Sequence, residues 1–170
     1  MKLDYTGYTI SISEDNGPVH ITPSREKVAA LLDFPQPKNK TELRRYLGCV
    51  NQLTNFIPNI QPAMKNLSML TASKCLWLWR EIHTEEFNNS KTMLSNAISL
   101  ATFSFDRSTF VMTDASKDGI AYLMYQTDED DMKYVICLGS TSLKLRHSLL
   151  SPIDLECLSV SYAIGKLEFY

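Results

Sequence analysis

Apolar residues recur at helical spacing up to about residue 100 and at strand spacing after it, and this change of period restricts the fold most. In "NKTELRRYLGCVNQL", Leu43, Tyr46, Leu47 and Val50 fall at i, i+3, i+4 and i+7, the spacing that lines one face of a helix. "STFVMTD", "GIAYLMYQ" and "KYVICLGS" read instead as three strands, with "ASKD" between the first two and the acidic "TDEDD" between the last two. "SPIDLECLSVSYAIGKLEFY" then returns to helical period. Ser151 is its expected N-cap, Pro152 its first residue and Asp154 its third, with Ile153, Cys157, Val160, Ile164 and Leu167 as the expected buried stripe. The pattern predicts an α+β chain in which three antiparallel strands carry one long helix packed across them.

The punctuation of the first half is equally specific. "YTGYTISI" alternates, "EDNG" supplies turn chemistry and "PVHI" returns, which predicts a β-hairpin. A helix is expected over "TPSREKVAALLDF", with Thr22 as N-cap, Pro23 at the first position and Val28, Leu31 and Leu32 on one face; Pro35 and Pro37 end it. Asn39 followed by Glu42 is a capping-box pattern for the second helix. Pro58 breaks the chain, "QPAMKNLSML" gives a short third helix, and "TEEFNNSKTMLSNAI" a fourth with Thr84 as cap. "LWLW" reads as a packing plug.

Charge separates the same halves. Residues 22–80 carry nine Lys/Arg against three Asp/Glu, a balance of +6, whereas residues 81–170 carry seven against thirteen, a balance of −6. The basic half is a candidate polyanion surface, or simply a set of solvated helix faces. Four scattered cysteines without a CxxC pair point to a reducing compartment rather than to a zinc knuckle or a disulfide framework. No apolar run approaches the ~18 residues a membrane helix needs, and "MKLDYTGYTI" lacks the apolar core of a signal peptide. No membrane partner is expected.

Asp114 ends an apolar strand, where an acid is costly to desolvate unless something cationic meets it. It either caps the "ASKD" turn or holds a metal. Glu156 sits one turn into the last helix, beside the expected buried Ile153 and Val160, and is either an ordinary helix acid or a second ligand. If that helix crosses the sheet, both carboxylates converge at one edge, and two hard oxygen ligands suit Mg²⁺. The run "DEDD" at 128–131 reads as a solvated hairpin tip instead.

The ordered motifs "GYTIS…TPSREKVAALLDFPQPKNKTELRRYLGCVNQLTNFIPN", "LWLWREIHTEEFNNSK", "TDASKDGIAYLMYQ" and "SPIDLECLSVSYAI" resemble the Pol polyprotein of gypsy-like long-terminal-repeat retrotransposons over almost the whole chain. The resemblance implies a primer-grip-like palm-end hairpin over 1–21, a helical thumb and tether over 22–100, and the N-terminal half of an RNase H domain over 101–170. It implies that Asp114 and Glu156 are catalytic, metal-binding carboxylates, with Asp154 as the preceding acid. The polymerase aspartates and the later RNase H aspartates of the family are absent from these 170 residues. Ser159 stands where the family usually has alanine, Ala121 where it has glycine, and "LTN" (53–55) replaces a more aromatic and basic run.

Two functions follow as expectations. The first is a piece of a reverse transcriptase–ribonuclease H whose parent copies RNA into DNA and uses Mg²⁺ to cleave RNA in RNA–DNA hybrids. Lys38, Lys40, Arg44, Arg45 and Lys65 would hold the phosphates of a hybrid or duplex without reading bases. The second is a non-catalytic module that binds nucleic acid or protein. Expected partners are nucleic acid and the remainder of a Pol polyprotein or a dimer partner. The expected location is intracellular, in cytoplasm or nucleus, within a virus-like particle for the parent element.

Overall fold

The computed structural model describes residues 1–12, 17–143, 147 and 149–170. Glu14, Asp15 and Asn16 of the expected first turn lie outside them. The N-terminal region is a four-stranded antiparallel sheet in the order β1 (Lys2–Tyr5), β2 (Tyr8–Ile12), β3 (Val19–Pro23) and β4 (Leu100–Ala101). It is wider than the hairpin read from sequence. Thr6 (φ 47°) and Gly7 (φ 82°) both take left-handed backbone and fold β1 onto β2, which splits "YTGYTISI" into two paired strands.

Thr22 and Pro23 pair with Thr9 and Tyr8, so the helix begins later than expected. Ser24 is the N-cap of α1 (Arg25–Leu32), its hydroxyl accepting from the Lys27 amide at 3.3 Å. Pro23 fits a strand end because its missing N–H costs no ladder bond there. Asn39 caps α2 (Lys40–Asn51) as its motif predicts, accepting from the Glu42 amide at 2.9 Å. Leu43, Tyr46, Leu47 and Val50 are all buried. After a 3₁₀ turn at Thr54–Phe56, the single helix expected next is two short ones, α3 (Ile60–Ala63) and α4 (Lys65–Leu70), which meet at Met64.

α5 (Glu81–Ser95) begins before Thr84: the Arg80 amide donates to His83 Nδ1 at 2.9 Å, and the Thr84 hydroxyl instead accepts from Trp79 Nε1 at 2.8 Å. Trp77 and Trp79 pack against the helical core while Leu76 and Leu78 face outward. That core joins α1 to α5. No helix among the described residues is long and apolar enough to cross a membrane.

The second sheet holds β5 (Ser108–Ala115), β6 (Gly119–Thr127) and β7 (Lys133–Ser142), all antiparallel and in chain order. α6 (Pro152–Leu167) packs on β5 and β6, capped by Ser151. Its buried side is Leu155, Ser159 and Ala163, flanked by Leu158 and Tyr162; of the expected stripe, Leu167 alone packs inward, against Ala101, Met124 and Ile136. Ile153 is 76% exposed, Val160 47% and Ile164 67%, and Cys157 is also exposed. The sheet face below carries bulky Tyr122, which packs edge-on against Tyr162 at 6.0 Å, so small helical residues give the closer fit. The Ser159 hydroxyl is satisfied inside the helix by the Glu156 carbonyl at 2.8 Å.

Candidate carboxylate site and basic surface

β5 is an edge strand, and Phe110, Val111 and Met112 are 44%, 48% and 57% exposed, so Asp114 does not end a buried strand. Directly opposed residues of an antiparallel pair share a face. Ala115 opposes Ile120, and both cluster with Leu155 and Leu158 beneath α6. Asp114 opposes Ala121 and therefore lies on the other face, which looks toward the helices. There it borders an apolar cleft with Pro58, Asn59, Met112, Leu123 and Leu138, and a more polar one with Asn59, Pro62, Asn89 and Ser116.

Glu156 is exposed on α6, in a shallow groove with Val160 and Ile164. Its neighbour Leu155 packs in the same cluster as Ala115, beneath α6. The two acids thus border different clefts, Asp114 on the face of the sheet away from α6 and Glu156 on α6 itself. No hydrogen bond or ion pair joins them, and the described residues contain no group of three or more His, Cys, Asp or Glu side chains that could hold a metal ion. Each carboxylate by itself is an accessible hard oxygen donor of the kind Mg²⁺ takes while retaining several waters, but among the described residues the two do not converge on one point as the sequence suggested. They do not supply a cage for two.

Two other acids of this half are committed locally. Asp154 closes the α6 cap, its amide donating to Ser151 Oγ at 3.2 Å and its carboxylate accepting from the same hydroxyl at 2.7 Å. Asp128 organises the β6–β7 turn, accepting from the amides of Asp130 (3.1 Å) and Met132 (2.9 Å) and from the Tyr134 hydroxyl (2.7 Å). The Tyr134 bond is the main cause that holds the Asp128 carboxyl below its ordinary pKa.

The five cations separate into three groups. Lys40 Nζ donates to the carbonyls of Ala72 and Cys75, and the Arg44 guanidinium to that of Thr71 at 2.7 Å. Both thereby hold the chain end of α4, where carbonyls lack intrahelical donors. Lys65 pairs with Asp118 at 2.9 Å. Lys38 and Arg45 are exposed, and neither side chain forms a hydrogen bond or ion pair among the described residues. The pairing of Lys65 with a turn 53 residues away left no local signal in the sequence.

The family model of the RNase H-like domain found in reverse transcriptase matches residues 79–170. The Tf2-3 and Tf2-4 transposon polyproteins of Schizosaccharomyces pombe are each 30% identical over 169 residues, which is 99% of this chain and 12% of theirs. The chain therefore spans about an eighth of the length of these relatives. The foamy viral protease-reverse transcriptase in complex with dsDNA superposes with a TM-score of 0.81 at 20% identity, over 98% of this chain and 33% of that one. The same viral protein in complex with RNA/DNA hybrid gives a TM-score of 0.80 over 97% and 22%. These two likenesses establish the fold.

Proposed function

This chain belongs to the RNase H-like domain family found in reverse transcriptase, and on that premise we propose that it serves a retroelement reverse transcriptase–ribonuclease H in two ways. It holds the backbone of an RNA–DNA hybrid, and it contributes two carboxylates to RNA cleavage. The observation that supports the reading is the family match over residues 79–170, which includes both Asp114, accessible at the end of β5, and Glu156, exposed on α6. Asp114 and Glu156 would hold Mg²⁺, which when bound neutralises charge on the scissile phosphate and lowers the pKa of a bound water. The described residues contain no group of three or more His, Cys, Asp or Glu side chains that could hold a metal ion, so they do not by themselves complete such a site.

Of the cations read from sequence, Lys38 and Arg45 are the ones left for phosphates. They carry no base-reading geometry, which suits a surface that must accept every template. Lys40 and Arg44 support this surface from behind by holding α4.

The test has two arms. Mn²⁺ added to the purified chain should broaden the NMR signals flanking Asp114 and Glu156 at millimolar concentration, and Asp114→Asn should abolish this with the fold intact. Broadening confined to the Asp128–Asp131 turn would defeat the site assignment. Hybrid binding should weaken with salt at about 0.9 log unit per phosphate contact per log unit of salt, and Lys38→Ala with Arg45→Ala should flatten that slope by about two contacts. An unchanged slope would remove the proposed surface. Cleavage by the chain alone is expected to be negligible, because two carboxylates offset only half the charge of two Mg²⁺ ions and leave the second unpositioned.

A further inference from the structure

We propose that Lys65 is a positioning residue: with Pro62 it clamps the β5–β6 turn to α3 and α4, while Gln61 holds the adjoining end of β7, so that the strand end bearing Asp114 moves as one body with α3 and α4. Three contacts from one short stretch support this. Lys65 Nζ lies 2.9 Å from Asp118 Oδ1. The Ser142 hydroxyl donates to the Gln61 carbonyl at 3.0 Å. Pro62 fills the space beside Gly119 so closely that a Cβ there would lie 2.3 Å from its Cγ. Pro62 also walls the polar cleft that Asp114 borders.

The turn that receives these contacts is itself braced. The Ser116 hydroxyl accepts from the amides of Asp118 (3.3 Å) and Gly119 (3.1 Å), and the Leu143 amide donates to the Asp118 carbonyl at 2.9 Å. Asp118 is thus presented to Lys65 from a stiff frame rather than from a free loop. An exposed ion pair alone is weak. Here it adds to a steric fit and a hydrogen bond that leave little room for sliding. The glycine of the "TDASKDG" motif is accordingly a docking point for the helical region.

What the clamp positions rests on the function proposed above, but the clamp itself is tested separately. In hydrogen exchange on the full chain, Lys65→Glu and Asp118→Lys should each speed exchange at the amides of Ser116, Gly119 and Leu143 by about two- to fivefold, the range of an exposed pair. Exchange in α2 should be unchanged, and the double variant Lys65→Glu/Asp118→Lys should restore the original rates. Gly119→Ala should speed the same amides, and Pro62→Ala in that background should relieve part of the effect. Single variants without effect, or a double variant without rescue, would overturn the clamp. So would a fall of about 0.9 in the salt slope of hybrid binding in Lys65→Met, the mark of a lost phosphate contact. If the chain binds no hybrid yet the exchange pattern and its rescue hold, the clamp stands and only the nucleic-acid reading falls.

Discussion

Tyr46 is fully buried, and its hydroxyl meets Ser90 Oγ at 2.7 Å while that serine donates to the Phe87 carbonyl at 2.7 Å. Its ring packs at 5.3 Å from Phe34 and 4.8 Å from Phe87. Burial raises its pKa, and the bond to Ser90 opposes that only in part. Tyr46→Phe keeps the ring and leaves Ser90 bonded to Phe87, so it should cost about 1 kcal/mol. Tyr46→Ala removes the ring as well and should cost about 3–5 kcal/mol. Urea midpoints of the two variants check the order; equal losses would mean that the hydroxyl, not the ring, organises this core. The burial of Tyr46 was legible from its spacing with Leu43, Leu47 and Val50. Its partner was not, because Ser90 lies 44 residues away and looks like any helical serine. The same limit explains Lys40 and Arg44, whose acceptors are main-chain carbonyls just past the end of α4 and leave no trace in side-chain composition.

At the scale of elements, strand and helix positions after residue 100 follow the apolar period closely, and α6 starts at the Ser-Pro signal. Its orientation does not follow. Two faces of α6 are apolar, and hydropathy favours the one with Ile153, Val160 and Ile164, whereas packing on Tyr122 selects the one with Ser159 and Ala163. The error reached the site, since Glu156 was expected beside buried neighbours and is exposed. The outward stripe gives a direct test. Ile153→Gln, Val160→Gln and Ile164→Gln should each change stability by no more than about 0.5 kcal/mol, as at exposed positions. Ser159→Leu should cost about 1–3 kcal/mol by overpacking the helix–sheet seam. Thermal unfolding of the four variants decides it; losses of the size of core truncations in the first three would mean that the stripe is covered in solution. Exposed stripes of this kind also favour self-association, so the glutamine variants should elute no earlier than the parent chain in size-exclusion chromatography.

Across the whole molecule, the charge asymmetry was visible in sequence, but the joining of its two halves was not. β4 adds to the N-terminal sheet through His20 and Ile21, while its Ala101 packs with Met124 and Ile136 of the second sheet. Neither link is encoded by a local pattern. The way the chain responds to pH follows from the groups these layers bury. Burial pushes the Cys137 thiol from 9.0 up to about 11. Burial, with smaller contributions from Cys137 and neighbouring tyrosines, pushes Tyr122 from 10.0 to about 12. Both are neutral when folded, and both folded values lie above the unfolded ones, so their stabilising effect is complete below about pH 9 and is lost as pH rises toward 12. Unfolded chains release these protons first, and alkali therefore pulls the equilibrium toward them. Asp128 has the opposite sign, since its lowered value favours folding above the ordinary carboxylate range and fails as pH falls through it. That carboxylate is fully exposed, and its loss should loosen only the β6–β7 turn. Urea midpoints should accordingly fall steadily above pH 9, and Cys137→Val should delay the onset toward the tyrosine range. A midpoint that stays level to pH 11, or an onset indifferent to Cys137→Val, would show that the sheet beneath α6 is open to water rather than sealed by it.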